Sequence, residues 1–86
     1  MTAQERIART LEAAFSPARL NVVDESHLHK GHAGHRPEGE THFRVRIAAE
    51  VFAGRSRVDA HRMVNAALAD EFARGLHALA IQIETV

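Results

Sequence analysis

The chain has 86 residues and a mass of 9.5 kDa, which is room for one hydrophobic core and no second. Its 45% hydrophobic and 26% charged residues are globular values, and eleven Lys plus Arg balance eleven Asp plus Glu, which argues against a sequence-blind binder of polyanions driven by bulk charge. Cysteine is absent, so the chain has no disulfide framework, no thiolate nucleophile and no zinc or iron–sulfur site made from its own thiolates.

Residues 2–15 read as an amphipathic helix. Thr2-Ala-Gln-Glu5 is a capping-box pattern, and Ile7, Leu11 and Phe15 recur on one stripe. Ser16-Pro17 ends it, since proline disfavours helical geometry in the residue before it. Arg19–Asp24 is a short strand rich in β-branched residues. Residues 25–40 carry three of the five glycines, one proline and four histidines without apolar periodicity, a long loop of the kind that tends to be functional. Thr41–Ala49 alternates: Phe43, Val45 and Ile47 face the core, and His42, Arg44 and Arg46 face solvent. The two strands read as an antiparallel pair.

Residues 51–56 form a turn, with Ser56 as the cap of a second helix over 57–73. Val58, His61, Val64, Leu68 and Phe72 make its sheet-facing stripe, and Gly75 ends it. Leu76–Thr85 is a last strand with His77, Leu79, Ile81 and Ile83 on one face. The expectation is a single α+β domain over 1–86, with helices on one face of a three-stranded sheet.

The distinctive chemistry is imidazole chemistry, because seven histidines are present and four of them fall between positions 27 and 35. His27, His29, His32 and His35 suit a borderline metal, since neutral imidazole ligates such ions and a loop can adapt to their geometry. They match no regular metal motif, and a solvated polar loop is the plain reading beside the metal one. His77 is either a hydrogen-bonded structural residue or the rigid half of a two-imidazole site whose other half lies in the loop. His61, within the apolar stripe, reads as a packed histidine. Arg44 and Arg46, with Arg55, Arg57 and Arg62 near the second helix, are candidates for a nucleic-acid patch, although no aromatic residue is interleaved to stack bases. Gly31-His-Ala-Gly34 fits the GxxG clamp of KH domains, but it lies between two strands instead of two helices. No nucleophile elbow, phosphate-binding glycine loop or triad spacing is present, so the chain is not expected to be an enzyme. No stretch approaches the roughly 18 apolar residues of a membrane span. MTAQERIART lacks the apolar run of a secretory signal, so a cytoplasmic location is expected.

VVDES at 22–26, GETHFRV at 39–45, FAGRSRVDAHRMV at 52–64, LADE at 68–71 and LHALAI at 76–81 together resemble the BolA family over nearly the whole chain. That resemblance implies a BolA fold similar to the class II KH topology, α-β-β-α-(α)-β, with helices on one face of a three-stranded mixed sheet. It implies pairing with a monothiol glutaredoxin of the CGFS type and a 2Fe–2S cluster shared with that partner and glutathione. The roles implied are cluster trafficking and iron homeostasis or, alternatively, DNA-binding regulation of morphology and stress responses. The family's C-terminal histidine corresponds to His77, and its loop ligand to His32, with His27, His29 and His35 as further candidates. Ala60 stands where members often carry a basic residue, which weakens a DNA-contact role for that turn. Imidazole in place of thiolate removes negative charge from a cluster and raises its potential, and it makes ligation pH-sensitive. The free chain is expected to be a monomer without cofactor, and a mononuclear metal site in the loop is the third reading.

Overall fold

The computed structural model describes residues 1–25 and 42–86. Helix α1 (Ala3–Phe15) begins with the expected capping box. The Thr2 hydroxyl accepts from the Glu5 N–H at 3.1 Å, and the Glu5 carboxylate accepts from the Thr2 N–H at 3.0 Å. These bonds, that from the Thr2 backbone foremost, hold the Glu5 carboxyl below the usual carboxylate range. Thr2→Ala is expected to cost about 1 kcal/mol at neutral pH. Because the folded-state pKa of Glu5 is depressed, its contribution is present above the unfolded value and fades as pH falls through the folded one. A Glu5→Gln variant, which cannot ionise, should therefore draw level with wild type in acid, as read by thermal melts.

Ile7 and Leu11 on α1 are fully buried, and the ring of Phe15 lies 5.1 Å from that of Phe52. Ser16 ends the helix in left-handed geometry (φ 46°), its N–H returning to the Glu12 carbonyl at 3.0 Å. Strand β1 (Arg19–Asp24) pairs antiparallel with β2 (His42–Ala48), Val22 opposite Val45. Strand β2 is central and runs parallel to β3 (Ala78–Ile83), Val45 opposite Ile81. Alternation sends Val22, Phe43, Val45 and Ile47 into the core, where they meet Ile7, Leu11, Val64 and Leu68. Arg19, Asn21, Arg44, Arg46 and Gln82 stand exposed on the opposite, open face.

A short 3-10 turn over Glu50–Phe52 precedes α2 (Arg57–Ala67), whose first turn is capped by the Ser56 hydroxyl accepting from the Asp59 N–H at 3.0 Å. The single helix expected over 57–73 is two helices, because Leu68 leaves helical geometry (φ −100°, ψ 17°) and α3 (Ala69–Arg74) starts anew. The expected apolar stripe is corrected accordingly. Ala60, Val64 and Leu68 are buried, with Met63 and Ala67 packed beside them, whereas Val58 is 57% and Phe72 37% exposed. Small Ala60 carries little weight in a hydrophobic pattern yet sits against the core, and the break at Leu68 turns Phe72 outward. The same break turns Glu71 inward, where it takes a two-pronged ion pair from Arg6 of α1 at 2.9 and 3.1 Å. Among the described residues no helix is long and apolar enough to cross a membrane.

Candidate metal-ligating site

Strand directions decide which residues share an end of the sheet. Strand β1 ends where β2 and β3 begin, so Glu25, His42 and His77 lie together. The Glu25 N–H donates to the His42 carbonyl at 2.8 Å, adding one rung beyond Asp24–Phe43. Residues 26–41 therefore leave and re-enter the sheet at the end that carries His77.

The approach to His77 is built locally. Gly75 closes α3 with φ 121°, a conformation that favours glycine. The Leu76 N–H donates to the Glu71 carbonyl at 2.9 Å, and its side chain is buried. This anchored turn delivers His77 exposed, just ahead of β3, which starts at Ala78 and not at Leu76 as expected.

His42 departs from its expected solvent-facing role. It shares the open face with Arg44 and Arg46 but is only 7% exposed. As the first residue of the central strand it is flanked on both sides, by Glu25 at the end of β1 and by Ala78 at the start of β3. Its ring lies 5.4 Å from that of His77, the planes tilted by 55°. Glu25, His42, Arg44, Ala78 and Ala80 border a shallow depression of about 240 Å³ here. The sequence reading overlooked this pair because it depends on the parallel register of β2 and β3, which no local pattern encodes.

His27, His29, His32 and His35 lie outside the described residues. Among the described residues no group of three His, Cys, Asp or Glu side chains converges to hold a metal ion, so the His42–His77 pair supplies two ligands at most. His61 is half-buried on α2.

The arginines proposed for nucleic acid are split between two layers. Arg44 and Arg46 lie on the open face, where Arg44 pairs with Glu25 at 3.0 Å and Arg46 with Glu84 at 3.5 Å. Arg57 and Arg62 stand exposed on α2, in the helical layer, and the Arg55 guanidinium donates to the Val51 carbonyl at 3.0 Å. Carboxylates thus offset the cations of the sheet face.

These features define an α+β protein that presents nitrogen donors, not thiolates, at the end of a half-covered mixed sheet. Residues 11–86 match the family described as BolA-like protein, and the chain belongs to that family. It is 49% identical over 83 residues to an uncharacterised protein of Sinorhizobium sp, covering 95% of this chain and 89% of that one. It is 41% identical to the DNA-binding transcriptional regulator BolA of Escherichia coli, covering 100% of this chain and 78% of the relative. The solved BolA domain of SufE1 from Arabidopsis thaliana superposes with a TM-score of 0.88 at 41% identity, covering 99% of this chain and 93% of that domain.

Proposed function

We propose that this chain is a non-enzymatic adaptor of the BolA type that pairs with a monothiol glutaredoxin and completes a bridging 2Fe–2S cluster, acting in iron–sulfur trafficking and iron homeostasis. The observation that carries the reading is the exposed His77, fixed by the Gly75–Leu76 turn at the sheet end where the histidine-rich segment enters. His77 supplies one nitrogen donor and His32, from residues 26–41, the second. The donor chemistry fits the group: without a cysteine the chain offers imidazoles only, so the sulfur ligands belong to the partner's cysteine and to glutathione. The cluster, when bound, supplies a one-electron centre whose potential two neutral imidazoles raise. The family's match and its relatives support a BolA-type role for the chain.

The test is to titrate a cluster-loaded monothiol glutaredoxin with the protein and record visible absorption and circular dichroism. The expected result is a changed spectrum that His77→Ala abolishes and His61→Ala preserves. An unchanged spectrum overturns the proposal. The second reading, a KH-like DNA-binding regulator of stress response and morphology, is favoured by the name of the Escherichia coli relative and by exposed Arg55, Arg57 and Arg62. Tight, salt-sensitive DNA binding lost in the Arg57→Ala, Arg62→Ala double variant, with no spectral change, supports that reading instead.

A further inference from the structure

We infer that the outer edge of β3 is a self-pairing surface: two copies of this chain join β3 to β3 antiparallel about a two-fold axis at Ile81, making one six-stranded sheet. At high concentration this dimer replaces the monomer expected from the sequence.

The two edges of the sheet are protected differently. Strand β1 carries Arg19 and Asp24, and the Gln4 side chain donates to its Val22 carbonyl at 2.6 Å. Charge and a covering side chain are common guards against edge pairing. Strand β3 is the other edge, and among the described residues β2 is its one strand neighbour. Its sequence, ALAIQI, holds no charge and no proline, and Leu79, Ile81 and Ile83 are only partly buried against the core. An uncharged, apolar edge of this kind is a template for another strand.

Register decides which backbone groups are free. Ile47 lies opposite Ile83, and the Glu84 N–H donates to the Ile47 carbonyl at 2.8 Å. Alternate residues of a strand turn both N–H and C=O to the same side, so Ala78, Ala80 and Gln82 face β2, and Leu79, Ile81 and Ile83 direct theirs outward. An antiparallel copy centred on Ile81 sets Ile81 opposite itself and Leu79 opposite the copy's Ile83, and each such pair exchanges two hydrogen bonds. The axis stands perpendicular to the sheet, so the apolar side chains of Leu79, Ile81 and Ile83 from both copies share the helical side. Ala80 lies opposite Gln82 on the open side, and no like charges meet at the axis. The zero formal net charge of the chain removes long-range repulsion between copies. This two-fold self-complementarity is what selects a second copy over an unrelated strand. His77 lies four positions from the axis, so at about 3.3 Å per residue the two copies' imidazoles stand roughly 26 Å apart, and the pairing does not bring the two imidazole sites together.

One six-residue strand edge is a small interface, below the roughly 1,200 Å² of stable complexes, so the expected Kd is about 10 µM–1 mM. Sedimentation equilibrium of the full chain across that range should show the mass rising from 9.5 kDa toward twice that value. Amide hydrogen exchange supplies the signature. The amides of Leu79, Ile81 and Ile83 should exchange fast in dilute solution and slow several-fold as concentration rises, whereas those of Ala80 and Gln82, bonded to β2, are protected throughout. Ile81→Pro removes the outward N–H and keeps every bond to β2, so it should abolish association. Ala80→Lys places a charge on the open side of the edge and should weaken association several-fold; it carries the test if circular dichroism shows that Ile81→Pro unfolds. A chain still monomeric at about 1 mM overturns the inference, as does a dimer that both variants leave intact or that leaves exchange at Leu79, Ile81 and Ile83 unchanged. A monomer whose same three amides slow when a monothiol glutaredoxin is added assigns the edge to a partner's strand and overturns self-pairing.

Discussion

Replacing Phe43 with alanine is expected to remove about 3–5 kcal/mol of folding free energy, the usual cost of truncating a buried aromatic side chain. Phe43 is the largest fully enclosed side chain, 2% exposed, and lies on the central strand opposite Leu79. A domain of this size has only about 5–15 kcal/mol in total, and each kcal/mol lowers Tm by roughly 4–8 °C. The variant should therefore melt far below wild type, and urea titration should show a lower midpoint. Phe43→Leu keeps most of the volume and should lose much less, near the roughly 1.5 kcal/mol typical of apolar exchanges of similar volume. Phe43 adjoins His42, so the larger change should also loosen the sheet end that carries the imidazoles. The leucine variant separates that local effect from global unfolding.

The second large effect is expected at the Arg6–Glu71 pair. Arg6→Met leaves the Glu71 carboxylate, with 8% of its side chain exposed, without its guanidinium. Stranding a fully buried charge costs roughly 3–5 kcal/mol, and about 2–4 kcal/mol is expected here because Arg6 remains 29% exposed. The double variant Arg6→Met, Glu71→Met should recover most of the loss, since it leaves no charge behind. Denaturant unfolding of the two single variants and the double variant checks both statements. A double variant as unstable as Arg6→Met alone would show that packing, not the unpaired carboxylate, sets the cost.

What could be read in the sequence was mostly local. The Thr2–Glu5 box, β1 over Arg19–Asp24, the Ser56 cap and the stop at Gly75 each depend on residues within a few positions of one another, and each recurs in the structure. What was missed is set by distant partners. Glu71 is separated from Arg6 by 65 positions, and nothing in LADE reveals a carboxylate turned inward. His42 obeys its strand's alternation yet is only 7% exposed, with the ring of His77 5.4 Å away. Helix 57–73 breaks at Leu68, a good helix former, so the break reflects how the chain fits the sheet and not the preference of that residue. At the candidate site, the exposed place of His77 just after Gly75 follows from local sequence, whereas the closeness of the His42 ring depends on the register of two strands.

The rung between Glu25 and His42 also bears on how such chains can diverge. It closes the base of residues 26–41 with a backbone bond of 2.8 Å, so the length of the insert and the placement of the imidazoles are separate variables. Loop-closure cost grows slowly with length, by only about 0.6 kcal/mol for each doubling. Evolution or design can therefore lengthen, shorten or rewrite what lies between these two positions, exchanging one donor for another, while the paired rings at its foot stay where the strands put them.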